Sequence, residues 1–506
     1  MEKMRKGLES ISLWRFAIAA VMLLTLGAVA MAQGASTDVL PMDAKAITDA
    51  VKDAKSAGVS AGDTAWMLIS TALVLLMTPG LALFYAGMVR RKNALGTIMQ
   101  SFMAMAVISI QWVLIGYTLA FGPTINGWIG GMAWAGLNGV TGAPNADYAG
   151  TIPHLVFMAF QMMFAVITPA LIFGAVAERM KFKAFLIFLL LWATIIYDPL
   201  AHWVWGLNGM LRPGQLLAHL GFGSGAMALD FAGGLVVHIS AGITALVAAL
   251  VLGKRRGYPH EPMPPHNLPM TVLGAGLLWF GWFGFNAGSA LGANGLAGYA
   301  FVNTNTATAA AVLAWVFIEW LHHGKPTVLG AASGAVAGLV AITPACGFIQ
   351  PWAAILIGLA AGSLCYGAVN LRFKLGYDDS LDAFGVHGVG GMLGAILTGV
   401  FATKLVNPAG ADGLLYGNPA QLGIQLVSVL IVLVFCGVGA FLLLKLTALV
   451  TGGLRLSAAE EAEGMDISEH GENGYNLGDI PLGHGGSPAP VGHSAPAQLT
   501  TAKATE

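Results

Sequence analysis

The sequence predicts an all-α membrane protein with about eleven transmembrane helices, arranged as two inverted five-helix repeats plus a final helix. Three observations support this. The chain of 506 residues is 56% hydrophobic and only 10% charged, whereas about a quarter of the residues in a soluble domain are charged. Apolar runs recur at roughly the length of 20 residues that crosses a bilayer. Basic residues concentrate in alternate loops, as a fixed orientation in a membrane requires.

The apolar runs are separated by short polar or glycine-rich loops. They lie at residues 64–88, 94–121, 153–176, 183–204, 229–253, 268–289, 297–321, 327–343, 351–371, 384–402 and 422–450. An odd number of runs divides into five, five and one, so the two halves have opposite topology. Many glycines lie within the runs, where we expect them to let helices pack closely.

The N-terminus is typical of a secretory signal peptide. Basic residues come first, and an apolar segment from Phe16 to Met31 ends beside a small-residue cleavage site at Ala32. An uncleaved helix is the alternative, but the apolar segment is short for a transmembrane span. We therefore predict a signal peptide at 1–32 and a periplasmic lead-in at 33–62.

Loop charge predicts the orientation. Most basic residues fall in one set of alternate loops, and the other set carries little beyond Arg212 and Lys404. Because cytoplasmic loops are enriched in Lys and Arg, the C-terminus is predicted to be cytoplasmic and the mature N-terminus outside. The membrane domain would span 63–455. Residues 456–506 would form a cytoplasmic tail, disordered toward its Pro/Ala/Gly/His-rich end.

Two histidines occupy equivalent places in the two halves. Asp230 and His238 belong to the fifth apolar run; Asp382 lies just before the tenth run, which contains His387. An ionisable group at membrane depth is costly and usually faces a pathway or a partner. A histidine satisfied by a nearby carbonyl is the alternative, but the pairing across halves favours a path built where the repeats meet. A neutral imidazole both donates and accepts hydrogen bonds, so two of them could guide a small polar solute or a proton.

Aromatic residues cluster near the predicted external ends of several runs. Trp282, Phe285 and Ser289 recur on one helix face. An interfacial aromatic belt is the general alternative. However, desolvated aromatic faces attract cations, and a hydroxyl acceptor among them suits a small cation that carries N–H donors.

Other chemistry is not indicated. No phosphate-binding loop, hydrolase elbow or zinc-protease motif is present, so we predict neither an enzyme nor a cofactor. No third ligand lies at metal-binding spacing near the histidines, so no metal site is predicted. The formal net charge of −1 argues against a nucleic-acid partner.

These residues resemble the ammonium transporter (Amt/Mep/Rh) family, on the bacterial Amt side. The resemblance runs from residue 63 to about 480. Its most specific motifs are Phe84–Arg90, Ala201–Gly206, Asp230–His238, Gly281–Ser289, Ala300–Thr304, Thr343–Gly347 and Asp382–Gly388. The resemblance implies a homotrimer in a bacterial inner membrane, with one pore in each subunit. The loop between Trp205 and Asp230 is longer than the compact form of the family.

The family motifs also imply residue roles. Phe160, Trp205 and Ser289 match the external site that recruits ammonium. Phe164 and Phe285 match two gate phenylalanines, and Trp282 matches a pore-wall tryptophan. His238 and His387 match the twin pore histidines, and Asp230 matches a carboxylate that supports the recruiting site.

The resemblance predicts an ammonium transporter. It would bind NH4+ outside, remove a proton and conduct NH3 past the two histidines, with the proton transferred separately or not at all. The tail resembles a region that docks a PII-type nitrogen signalling protein. Two alternatives remain at this point: an ammonium sensor, and a passive gas channel of the Rh kind.

Overall fold

The computed structural model describes residues 58–475 of the chain. The predicted signal peptide, nearly all of the lead-in and the end of the tail lie outside these residues. The first helix begins at Ala61. The hydroxyl of Ser60 caps it by accepting a hydrogen bond from the backbone N–H of Asp63 at 3.2 Å.

Eleven apolar helices form the body of the described chain, as the apolar runs predict. They are α1 Ala61–Met88, α2 Arg91–Phe121, α3 His154–Val176, α4 Phe182–Trp205, α5 Gly234–Leu252, α6 Leu268–Ala287, α7 Gly295–His323, α8 Val328–Ile342, α9 Pro351–Leu375, α10 Phe384–Phe401 and α11 Pro419–Thr451. Ten of these are long and apolar enough to cross a membrane. The exception is α8, whose 15 residues span only about 22 Å.

The two halves of the fold pack through equivalent helices. α1 lies along α6, the first helix of the second half, and α1 contacts α3 as α6 contacts α8. Near the middle, α5 packs against α10, and α11 covers both. The core between the halves therefore holds α5 and α10, the two helices that carry the predicted pore histidines.

Glycines permit the closest helix contacts, as predicted. A Cβ atom added to Gly394 of α10 would collide with the backbone of Ala341 in α8. A Cβ atom on Gly242 of α5 would collide with the backbone of Gly388 in α10. Helices α5 and α10 thus touch backbone to backbone, and this contact sets the distance between their side chains.

The face of the molecule beyond the end of α2 carries two short hairpins, and we call it the outer face. The hairpins are β1 Thr124–Ile125 with β2 Ile129–Gly130, and β3 Pro144–Asn145 with β4 Ala149–Pro153, both antiparallel. His202 in α4 fastens the first hairpin region, with Nδ1 3.0 Å from the carbonyl oxygen of Ala120 and Nε2 2.8 Å from the hydroxyl of Thr124.

The opposite face, which we call the inner face, carries two short helices after α11: α12 Ala458–Glu463 and α13 Met465–His470. The first part of the predicted tail is therefore ordered against the body. The carboxylate of Asp466 accepts a hydrogen bond from the backbone N–H of Gly96 at 2.9 Å. Glu461 pairs with Arg455 at 2.6 Å.

Candidate functional site

The helix that carries His238, the first of the two predicted pore histidines, starts later than predicted. The apolar run begins at residue 229, but α5 begins at Gly234. The carboxylate of Asp230 accepts four hydrogen bonds, at 2.5–3.2 Å, from the backbone N–H groups of residues 233–236. Asp230 therefore lies before the helix and satisfies its first turn, whose N–H groups have no partner within the helix.

The equivalent residue in the second half is Asp379, and the sequence pairing of Asp230 with Asp382 is wrong. The carboxylate of Asp379 accepts hydrogen bonds from the N–H groups of Ala383 and Phe384, at 3.0 and 2.8 Å, at the start of α10. Asp382 instead pairs with Arg372 at 2.7 Å. Asp379 precedes His387 by the same eight residues that separate Asp230 from His238. That equal spacing was the available signal.

The two predicted histidines meet at the contact between α5 and α10. The Nδ1 atoms of His238 and His387 are 3.3 Å apart, so one ring donates a hydrogen bond to the other. Their rings are nearly parallel, with an interplanar angle of 19°. Both side chains are buried, and Nε2 of His238 has no hydrogen-bond partner within the described chain.

Wide π-helical turns present the central side chains. His238 lies in the turn Gly234–Ile239, Phe285 in Phe283–Ala287, and His387 in Phe384–Gly388. Such turns occur often at functional sites because they shift side chains out of α-helical register. Hydropathy does not reveal this change of period, so sequence reasoning did not predict it.

The predicted gate phenylalanines lie directly above the histidines, toward the outer face. The rings of Phe164 and Phe285 have centroids 4.2 Å apart and planes at 31°. The ring of Phe285 lies 6.1 Å from that of His238. The indole of Trp282 stacks beside His238 at 5.4 Å, and its N–H donates to the hydroxyl of Thr343 at 2.8 Å.

A cavity of about 180 Å³ opens above the gate, and we call it the outer cavity. Two of the three residues predicted for the recruiting site, Trp205 and Ser289, contribute to its wall together with the predicted gate residue Phe164. The N–H of Trp205 donates to the backbone carbonyl of Asp230 at 2.9 Å, which fixes the indole. Side chains that the sequence did not single out complete the lining: Phe121, Asp147, Tyr148, Phe157, Gln161, Arg212, Phe231 and Leu291.

Phe160 is placed differently from the other predicted recruiting residues. Its side chain is fully buried and is not among those lining the outer cavity. The ring packs edge-on against Phe164, with centroids 5.0 Å apart, and lies close to Gly288. In this structure Phe160 therefore supports the upper gate ring from behind.

Two much smaller cavities lie below the gate. One, of about 10 Å³, is bounded by Phe285, Trp282, both histidines and other apolar side chains, and we call it the middle cavity. The other, of about 20 Å³, extends from His387 past Tyr85 and Asp382, and we call it the inner cavity. The stacked rings of Phe164 and Phe285 separate the outer cavity from the middle one, since Phe164 borders the first and Phe285 the second. His387 borders both the middle and the inner cavities.

This arrangement suits a small solute that sheds its water. A cavity must offer about 10–15 Å³ to hold one water molecule, so the space beside the histidines admits little more than one small molecule. Apart from the two imidazoles, its lining is apolar or aromatic. A cluster of three or more metal-ligating side chains is absent from residues 58–475.

Comparisons with known proteins agree with these features. The chain matches the Ammonium Transporter Family over residues 65–475. It is 54% identical over 415 residues to an ammonium transporter of Bacillus subtilis, covering 82% of this chain and 98% of that protein. Its structure resembles that of Saccharomyces cerevisiae Mep2, with a TM-score of 0.72 and 38% identity over 79% of this chain and 91% of that one.

A solved structure titled "Sensor Amt Protein" is also similar. It has a TM-score of 0.72 and 30% identity, covering 81% of this chain and 98% of that one. The extent of the family match and the identity to the bacterial relative decide the assignment. The chain belongs to the Ammonium Transporter Family.

Proposed function

We propose that this protein recruits NH4+ in the outer cavity, removes one proton and conducts NH3 past His238 and His387 toward the inner face. The observation that carries the proposal is the alignment of three cavities through a phenyl gate and a histidine pair. The outer cavity has the chemistry of a cation site, whereas the space below it suits a neutral solute.

Recruitment depends on the side chains around the gate. The indole of Trp205 and the ring of Phe164 present aromatic faces and edges at 5.9 Å from one another, and a partly desolvated cation gains about 1–2 kcal/mol from such a face. Ser289 adds a hydroxyl that donates to the carbonyl of Phe285 at 2.8 Å. Its oxygen lone pairs remain available to accept a hydrogen bond from ammonium. Phe160 acts indirectly, by holding Phe164.

Passage requires loss of charge. An unpaired ion entering an apolar space loses its hydration at prohibitive cost, and the middle cavity offers no counter-charge. Neutral NH3 can instead donate to and accept from the histidines, since each imidazole has one donor and one acceptor nitrogen. K+ is excluded because it has no proton to lose.

Currents from proteoliposomes on a supported membrane test the proposal. Purified protein should give a saturable signal with ammonium and none with K+. If a proton crosses separately, the signal is an electrical current. If only NH3 crosses, internal pH rises without current. Failure to produce either signal in correctly assembled protein would exclude transport.

The histidine step has its own variant. His238→Ala combined with His387→Ala removes both imidazoles and enlarges the middle cavity. We expect ammonium flux to fall by at least about tenfold, which corresponds to 1.4 kcal/mol, or K+ to begin to pass. Unchanged flux together with unchanged selectivity would rule out the conducting role of the histidines. His219→Ala, in the outer loop and outside the path, is the matched control.

Several features of the cell context form part of the same proposal. We place the protein in a bacterial inner membrane as a homotrimer, with the lead-in outside and the tail inside. Helices α12 and α13 on the inner face would then be accessible to a PII-type protein. Native mass spectrometry of the detergent-solubilised protein tests the assembly, since a trimer gives three times the mature subunit mass.

A sensor is the second candidate, favoured by the similarity to the sensor protein. It predicts weak flux together with an ammonium-dependent change in protease protection of the inner face. Strong flux would decide for the transporter.

A further inference from the structure

The wall of the outer cavity includes an arginine that the transport proposal does not use. Arg212 contributes to the cavity wall together with Trp205 and Ser289. Its side chain is half-buried, and no hydrogen bond or ion pair joins its guanidinium to any residue in the described range 58–475. An unpaired cation beside a site for a cation requires an explanation.

The position of Arg212 is fixed by its loop. The backbone N–H of Leu211 donates to the carbonyl of Trp203 at 2.9 Å, and the N–H of Ala228 donates to the carbonyl of Leu211 at 3.0 Å. The N–H of Arg212 itself donates to Gly209 at 2.9 Å. The loop between α4 and α5 is thus attached to the end of α4 through the backbone of Leu211, the residue before Arg212.

The charges around Arg212 are few. Burial lowers the pKa of the guanidinium, and the neighbouring hydroxyl of Tyr148 partly opposes this, but arginine stays charged at neutral pH. Asp147 is the other charged group on the cavity wall, and it is exposed and not within ion-pair distance of Arg212. Asp230 lies below and its carboxylate is engaged by four N–H groups.

We propose that Arg212 is a specificity-determining residue whose fixed charge weakens retention of every cation in the outer cavity and thereby favours loss of a proton from ammonium. The inference rests on the proposed ammonium transport. The repulsion acts equally on NH4+ and K+, but only NH4+ can lose its charge, by giving up a proton. One N–H bond breaks, the proton passes to water in the open cavity, and neutral NH3 remains above the gate.

The size of the effect follows from Coulomb's law. The repulsion between two unit charges is about four times stronger at the effective dielectric constant of about 20 near a protein surface than in bulk water at about 80. The cavity is open to solvent, so salt must screen the interaction, with a Debye length of about 10 Å at 0.1 M and 3 Å at 1 M.

Transport kinetics of Arg212→Gln test the proposal. We expect the apparent KM for ammonium to fall by about two- to tenfold at low ionic strength, and K+ to become a stronger inhibitor of ammonium transport. Both differences from the parent protein should shrink as salt increases. Arg212→Lys, which keeps the charge, should behave as the parent, and Asp147→Asn should shift KM in the opposite direction.

Lys404→Gln is the matched control. Lys404 is an exposed cation in the loop between α10 and α11, outside the lining of the outer cavity, so its removal should leave KM unchanged. An unchanged KM in folded Arg212→Gln, or an equal shift in Lys404→Gln, would overturn the inference. If Arg212→Gln does not fold, Arg212→Lys and Asp147→Asn still decide it through the same salt-dependent KM. Absence of transport in the parent protein would instead refute the proposed function.

Discussion

Asp230 and Asp379 each use a carboxylate to complete the start of a helix, α5 and α10 respectively. Four backbone N–H groups converge on Asp230, and two on Asp379. The carboxylate of Asp230, with four hydrogen bonds, has no acceptor site left for a substrate. Each carboxylate fixes the first turn of the helix that carries a pore histidine. We infer that their contribution to transport is to position the histidines.

Replacing either carboxylate by an amide tests this role. Asp230→Asn substitutes an NH2 group for one acceptor oxygen, so it places donors against donors and should lower the free energy of unfolding by about 1–3 kcal/mol. Asp379→Asn should cost less, because fewer N–H groups depend on it. Thermal unfolding in detergent measures both, with exposed Asp147→Asn as the control. Equal stability of Asp230→Asn and the parent would contradict the capping role.

Among the helices, the contact between α5 and α10 determines the geometry of the path. Gly242 lies against the backbone of Gly388, one residue after His387. Gly391, one turn further along α10, lies against the Cβ of His238. The histidine separation is therefore set by glycines on both helices.

A side chain at Gly242 should separate the two helices. We expect Gly242→Leu to break the hydrogen bond between His238 and His387 and to reduce ammonium flux by at least about tenfold, since misplacement by about 1 Å can cost far more than the contact itself. Gly276→Leu in α6 is the matched control, because a Cβ there meets no atom within 4 Å. Full transport by folded Gly242→Leu would show that the close approach is not required.

For the whole molecule, a buried ion cluster on the inner face joins the two halves. Glu178, after α3, pairs with Arg90 at 2.6 Å and lies 3.6 Å from Arg255. Arg255, after α5, pairs in turn with Asp378, before α10, at 2.9 Å. Burial alone would raise the pKa of Asp378, but the hydrogen bonds and charge of Arg255 outweigh it and hold that pKa below its ordinary value of 3.8.

Arg255→Met leaves two buried carboxylates without this partner and should destabilise the protein by about 3–5 kcal/mol at neutral pH. Because the folded pKa of Asp378 is lowered, its stabilising effect is present above the ordinary value and disappears as pH falls through the folded value. The two proteins should therefore converge in stability below about pH 4. Unfolding midpoints across pH measure this, with exposed Arg256→Met as the control. A constant difference at all pH values would contradict the assignment.

Much of this architecture could be predicted from sequence. Hydropathy located the eleven helices because each must bury an apolar face in lipid or protein, and the equivalent places of His238 and His387 in two spans indicated that their side chains lie together, as they do. The start of α5 could not be predicted from hydropathy, since residues 229–233 are mostly apolar yet lie outside the helix. The burial of Phe160 and the π-helical turns depend on tertiary packing, which a single sequence does not reveal.

The hydrogen bond between the two histidines also has a direction. The halves present the same atom, Nδ1, to each other, as a pseudo-two-fold axis between inverted repeats requires. Only one of the two Nδ1 atoms can carry the proton of this hydrogen bond at a time. The backbones of the two halves are related by symmetry, but the two rings are then in different tautomers. The pair thus has two states that the pseudo-two-fold rotation exchanges, one polarised toward each face. Under the proposed conduction of NH3 past this pair, a cycle that exchanges the proton would have to reset it before the next molecule could follow from the same side.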